Sequence, residues 1–285
     1  MGVYDAPQWL LPAFVRSVQA IGGTAQPEEI RSTAEALIER WTAPDRRFHN
    51  LRHLVDVLAR VDQLNEETHE PDIVRVAAWY HGAVFDAALA AAFANRGGED
   101  EAASADVALR ELVALGVPEA RARRVHDLVI QLARHTPDPA DPDSAVLCDA
   151  DLGMLAVEPQ KYKAYLEDLR AEYRHISKID FLRARQRILH RLLARPSLFV
   201  SPLSERWEEP ARQNVAAELA RVDKELAGLE EAEATQPTPD EPAGARPGEA
   251  AEPPATSAIT RITAPTRPIV AVIPRSTVRQ PATHR

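Results

Sequence analysis

Apolar residues recur every three to four positions over most of the chain, from about residue 8 to residue 228. In PEEIRSTAEALIERW they form one stripe from Ile30 to Trp41, and NLRHLVDVLARVDQL repeats the pattern behind Asn50, a good N-cap residue. No segment shows the alternation of apolar and polar residues that is typical of strands. The pattern therefore predicts an all-α domain over residues 1–228.

The segment PDIVRVAAWYHGAV is apolar on nearly every side, so residues 73–84 are predicted to form a buried helix at the centre of the core. It carries a single histidine, His81, followed by Gly82. A buried imidazole needs a polar partner. That partner is either an ordinary hydrogen-bond acceptor or a metal ion shared with other side chains.

The composition changes near Leu229. Residues 229–285 are rich in Pro, Ala, Thr and Glu and have no periodic apolar face, so we predict a disordered tail. One apolar island, RPIVAVIPR, interrupts this segment. The alternative is a short docking segment through which the tail binds a protein partner.

Composition and charge narrow the function classes. Hydrophobic residues make up 45% of the chain and aromatic residues 5%, which favours a helical core of Ala, Leu and Val. A net charge of -9 makes a nucleic-acid partner improbable. Cys148 is the one cysteine, so no intrachain disulfide forms. Without a signal peptide or an apolar run of membrane-spanning length, we expect a cytoplasmic protein with no membrane contact.

Histidines and aspartates in apolar surroundings are the candidate functional residues. His49 and His53 are four residues apart, and His53 is predicted in the first turn of a helix. Asp149 and Asp151 lie in the apolar run VLCDADLGML, where carboxylates need partners; Asp149 could instead cap a helix. Two further nitrogen donors precede them: His126, better explained as a half-buried or exposed residue, and His135, at a predicted helix end where the dipole favours a cation.

These segments together resemble the HD superfamily of metal-dependent phosphohydrolases, and most closely a bacterial branch of predicted HD phosphohydrolases. The segments that carry the resemblance follow one another in order from Arg46 to Leu219: RRFHNLRH, AAWYHGAVFD, DEAASA, LCDADL, YLEDLRAEY, FLRARQRIL and ARQNVAAEL. FHNLRH is also similar to the YHN..H element of cyclic-nucleotide phosphodiesterases. The resemblance implies an HD-domain-like helical bundle that hydrolyses a small phosphoester or nucleotide.

The resemblance also implies roles for individual residues. His53, His81 and Asp151 would hold a divalent metal ion, with Asp149 as the alternative acid, and His49 would be the general acid. The ion could be Mn, Mg, Fe or Zn. Arg47 is the candidate phosphate contact, although a solvated surface arginine explains it equally well. Glu101 would lie at the substrate site.

Gly82 is a departure from this family, which has aspartate after the histidine. The metal site is therefore predicted to be incomplete, unless Asp86 or Glu101 takes the role. We expect a helical backbone to accept Gly82→Asp readily, with a steric cost only if another group fills the space of the missing carboxylate, and the variant to bind more metal. Two functions stay open: a weakened phosphohydrolase acting on a small phosphorylated metabolite, and a catalytically degenerate ligand-binding or scaffolding protein. The sequence also leaves open whether the protein forms a homodimer.

Overall fold

The computed structural model describes residues 6–234, apart from 86–99, 134 and 139. Within these residues the chain forms α-helices joined by turns and short 3-10 segments, with no strand, and the all-α prediction is confirmed. The helices are α1 (Leu10–Ala20), α2 (Pro27–Trp41), α3 (Leu51–Gln63), α4 (Pro71–Tyr80), α5 (Glu101–Ala114), α6 (Glu119–Leu132), α7 (Pro142–Leu152), α8 (Pro159–Glu172), α9 (Lys178–Leu193) and α10 (Glu205–Ala234).

Helix α4 is the centre of the larger core, as the sequence predicted. Its side chains from Ile73 to Tyr80 are buried except at Arg75, and it packs against α1, α3, α5, α6 and α7. The helix ends at Tyr80, however, so the prediction of a continuous helix through residue 84 is wrong. His81 caps the helix, and the chain then turns through residues 81–84.

A second, smaller core joins α8, α9 and α10 and is crossed by a buried ion pair. Arg185 donates two hydrogen bonds of 2.8 Å to Glu218, which also accepts one of 2.6 Å from the Tyr162 hydroxyl. Each buried charge is thus paired and hydrogen-bonded, which a buried ion pair requires. The arrangement fixes α8, whose last residue lies at the candidate site described below.

The C-terminal boundary lies later than the sequence indicated. Helix α10 continues through Leu229 to Ala234, so the first residues of the predicted tail are helical. The remainder of that tail, with its apolar island, lies outside the described residues. In the described part of the chain, none of the helices combines the length and apolar character that crossing a membrane needs.

Candidate metal centre

His53 is placed by the start of α3. The Asn50 side chain accepts hydrogen bonds from the backbone N–H groups of Arg52 (2.9 Å) and His53 (3.4 Å), so the predicted N-cap is confirmed. The His53 side chain leaves the first turn of the helix toward the interior and is 4% exposed. Its Nδ1 is buried and has no hydrogen-bond partner among the described residues, and Nε2 is the nitrogen that makes its polar contacts.

His81 is placed by the end of α4. Its Nδ1 lies 2.6 Å from the carbonyl oxygen of Ala78. Because a carbonyl only accepts, Nδ1 carries the proton and Nε2 bears the lone pair. A backbone acceptor behind the second ring nitrogen is the usual way in which a metal-binding histidine is oriented. His81 is therefore held as a ligand would be, with Nε2 directed at His53.

The structure brings His53, His81 and Asp151 together, although the sequence separates the first from the last by almost a hundred residues. The His53 Nε2 atom lies 3.2 Å from His81 Nε2 and 3.1 Å from Asp151 Oδ1, and His81 Nε2 lies 3.8 Å from the same oxygen. Metal–ligand bonds of roughly 2.1 Å place neighbouring ligand atoms about 3 to 3.5 Å apart. The donor set therefore fits one divalent ion.

The second oxygen of Asp151 contacts His135, a donor whose part in the site the sequence left open. His135 Nε2 lies 2.6 Å from Asp151 Oδ2. Burial acts to raise the pKa of Asp151, but the hydrogen bonds to His135 and His53 outweigh it and hold that pKa well below its usual range. His135 has a left-handed backbone (φ 46°), and Arg195 donates a 2.8 Å hydrogen bond to its carbonyl. Asp151 is therefore a carboxylate fixed at both oxygens.

Asp149 has a different role from the one considered for it. Its buried carboxylate accepts hydrogen bonds from the N–H groups of Val200 (3.0 Å) and Ser201 (2.7 Å) and from the hydroxyls of Ser201 and Ser204 (both 2.8 Å). Residues two apart on a helix point about 200° away from each other, which separates Asp149 from Asp151. The N-cap of α7 is Asp141. Asp149 thus anchors the segment before α10, neither capping α7 nor joining the candidate ligands.

His49 lies beside this centre and is fixed by Glu172, a residue to which the sequence assigned no role. His49 Nδ1 is 2.5 Å from Glu172 Oε1, and the rings of His49 and His53 are 5.7 Å apart. Glu172 Oε2 accepts from the N–H groups of Arg47, Phe48 and His49 at 2.8 to 3.0 Å. Burial acts to raise the pKa of Glu172, but His49 and these N–H groups lower it overall. The one signal for Glu172 was its place in YLEDLRAEY.

Replacing Glu172 by Gln tests this arrangement. We expect the metal content to be unchanged, because Glu172 does not belong to the candidate ligand group of the described residues. The pKa of Glu172 lies below its ordinary 4.5, so its ionised form stabilises the fold above that pH, and the contribution is lost as the pH falls through the lowered value. Chemical unfolding between pH 3 and 7 measures it; an unaltered profile in E172Q would count against a stabilising role of the Glu172 carboxylate.

The residues considered for substrate binding occupy more peripheral places. The Arg47 side chain is exposed, whereas its neighbour Arg46 is buried, with its guanidinium over the rings of Trp41 and Phe85 at 5.0 and 4.9 Å. Glu101 is half-buried in the first turn of α5 and does not belong to the group of candidate ligands among the described residues. Asp86, considered as a replacement ligand, lies outside the described residues.

Trp41 fills the space beside Gly82. A Cβ atom at residue 82 would lie 2.4 Å from Trp41 Cη2, closer than side-chain atoms approach. The indole cannot easily give way, because it is fully buried and its Nε1 donates to the Trp79 carbonyl at 3.0 Å. The condition for a steric cost at this position is therefore met, and tertiary packing, not helix propensity, decides whether residue 82 accepts aspartate.

Gly82→Asp alone should now reduce stability instead of completing the site. We expect about 2 to 4 kcal/mol of destabilisation, from overpacking against Trp41 and from a carboxylate buried without a prepared partner. The measurement is the urea midpoint of G82D against the wild type, with Gly228→Asp as control because no atom of the described residues lies within 4 Å of a Cβ there. Equal midpoints for G82D and wild type would mean that Trp41 moves freely.

No family model and no curated protein matches the chain. Among solved structures, it is similar to the phosphodiesterase domain of the rhodopsin phosphodiesterase of Salpingoeca rosetta, with 13% sequence identity and a TM-score of 0.47. The similarity covers 82% of this chain and 93% of that domain. A likeness of this degree does not transfer an activity, so the function has to be argued from the site.

Proposed function

We propose that the helical domain is a metal-dependent phosphohydrolase that acts on a small phosphoester or nucleotide. The observation that carries this proposal is that ligand atoms of His53, His81 and Asp151 lie within 4.8 Å of one another, with the His49 ring next to that of His53. A divalent ion bound there would polarise a phosphoryl oxygen and lower the pKa of water. The HD-like order of these residues in the sequence supports the same reaction class.

The remaining steps would fall to neighbouring side chains. Glu172 fixes the His49 ring through Nδ1, so a proton would pass to the leaving oxygen from Nε2. His135 holds the outer oxygen of Asp151, which keeps the inner oxygen directed at His53. Arg47, which is exposed and two residues before His49 in the sequence, would contact the phosphate.

The donor set also favours certain metals. Two imidazoles and one carboxylate suit zinc or iron better than magnesium, which prefers oxygen ligands and retains its water. We therefore propose that the resident ion is a transition metal. The sequence alone left manganese, magnesium, iron and zinc undistinguished.

The test is metal content and hydrolysis measured on the same preparations. Full-length protein is analysed for metals and then assayed with p-nitrophenyl phosphate, its bis ester, and linear and cyclic nucleotides. We expect His53→Ala to lose the metal and all turnover. His126→Ala is the control, because within the described part of the chain the carboxylates that His126 contacts are those of Asp106 and Asp127. Turnover by His53→Ala equal to that of the wild type would contradict the proposal.

A second candidate function is supported by the packing at Gly82. Since Trp41 occupies the place of a further acidic side chain, the domain could be a catalytically degenerate ligand-binding or scaffolding protein. That candidate predicts a folded protein that binds phosphorylated metabolites but turns none of them over with any transition metal added. Ligand-induced thermal stabilisation without hydrolysis would favour it.

A further inference from the structure

Trp41 forms part of the wall of the candidate metal centre. The indole ring lies 5.1 Å from the His81 ring and 6.1 Å from the His53 ring, measured between centroids. Its nitrogen is already committed to the Trp79 carbonyl, and the Arg46 guanidinium lies over the ring at 5.0 Å. Only carbon atoms of Trp41 are therefore presented to the two imidazoles, and the indole is braced in that position.

The charge at this centre is unbalanced for a divalent ion. Two neutral imidazoles and the Asp151 carboxylate supply one negative charge against two positive ones, in a place where His53 and His81 are 4% and 2% exposed. Poor solvation makes a residual positive charge costly. The second Asp151 oxygen supplies no further negative charge to the ion, since it is hydrogen-bonded to His135.

Among the described residues, no second carboxylate joins the candidate ligands on the Trp41 side. Residue 82 has no side chain, and the space that one would need is filled by the ring. Asp149, the other acid of the DADL segment, is directed at Ser201 and Ser204 instead. Among the described residues, Asp151 is the sole carboxylate in the candidate ligand group.

We propose that Trp41 and Gly82 together make metal binding depend on an anion from outside the chain, namely a phosphate group. This inference rests on the proposed function and deepens it: the substrate phosphate supplies the charge that a second acidic side chain would otherwise provide. Metal and phosphate then bind with positive coupling, and by thermodynamic linkage each raises the affinity for the other. Trp41 is the specificity-determining residue, because it fills the space in which an acidic side chain at residue 82 would take the place of the phosphate.

The first measurement uses the wild-type protein. Cobalt is titrated into metal-free protein and followed by its visible absorption, once with inorganic phosphate and once with chloride at equal ionic strength, which controls for screening. We expect phosphate to tighten Co²⁺ binding about tenfold, a common size for coupling between ligands. Equal affinity in phosphate and chloride would overturn the proposal.

The second measurement assigns the coupling to Trp41. In Trp41→Leu/Gly82→Asp the smaller side chain makes room for the carboxylate and roughly conserves the volume. We expect this variant to bind Co²⁺ more tightly than the wild type in chloride and to lose most of the phosphate effect. The matched control, Trp41→Leu alone, adds no charge and should keep that effect. A double variant that behaves like the control would overturn the role of Trp41.

The outcomes separate this inference from the proposed function. If the wild type binds no Co²⁺ under either condition, both are wrong. If it binds Co²⁺ and hydrolyses phosphoesters but phosphate does not tighten the binding, only the inference fails. Circular dichroism checks that each variant is folded. If Trp41→Leu/Gly82→Asp does not fold, Trp41→Ala/Gly82→Asp replaces it, because alanine leaves more room for the carboxylate.

Discussion

Asp151→Asn should lose bound metal and phosphohydrolase activity together while remaining folded. Asp151 is the only anionic ligand of the proposed set, and its Oδ1 lies 3.1 Å from His53 Nε2. Asparagine keeps the shape but removes the charge, and loss of a supporting partner alone typically weakens metal affinity tenfold to a hundredfold. We therefore expect the affinity to fall by at least about a hundredfold, measured by titration of metal-free protein.

His135→Ala serves as the graded comparison. It removes the hydrogen bond to the outer oxygen of Asp151 and leaves the three proposed ligands in place. A loss of about tenfold in metal affinity is expected, smaller than that of Asp151→Asn. Equal losses in the two variants would show that His135 is itself a ligand, and no loss in Asp151→Asn would remove Asp151 from the site.

Asp149→Ala should have the opposite effect, a large loss of stability with little direct effect on the metal. The carboxylate satisfies two backbone N–H groups and two serine hydroxyls in the segment before α10, where Ser201 and Ser204 are buried. Each buried donor left without a partner costs about 1 to 3 kcal/mol. We therefore expect the free energy of unfolding to fall by about 3 kcal/mol or more, measured with urea at pH 7.

Asp106→Ala is the control for this measurement. Its side chain is 68% exposed and should change stability by no more than about 0.5 kcal/mol. If the free energy of unfolding of Asp149→Ala falls by less than about 1 kcal/mol, water replaces the carboxylate and the segment before α10 does not depend on this anchor.

The features that the sequence predicted correctly are local or strongly periodic. The Asn50 cap follows from one side chain and two backbone donors, and the central position of α4 follows from a run that is apolar on nearly every side. The meeting of His53, His81 and Asp151 is a different case. It depends on the family resemblance, because spacing along the chain does not fix which helix ends face each other.

The features that the sequence missed depend on contacts between distant segments. Glu172 contacts His49 from the far end of α8, and nothing near either residue indicates the pair. Trp41 looked like an ordinary core residue at the end of its apolar stripe, yet it decides what residue 82 can be. The two aspartates of DADL could not be told apart until the Ser201–Ser204 segment was placed beside Asp149.

The most direct test of the account is a crystal structure of the wild-type protein with anomalous scattering data collected at a transition-metal edge. The account predicts one anomalous peak, bonded at about 2.0 to 2.2 Å to His53 Nε2, His81 Nε2 and an Asp151 oxygen. Well-ordered crystals grown with added metal that show no peak between these three side chains, or a peak bound elsewhere, would contradict the assignment of this cluster as the metal centre.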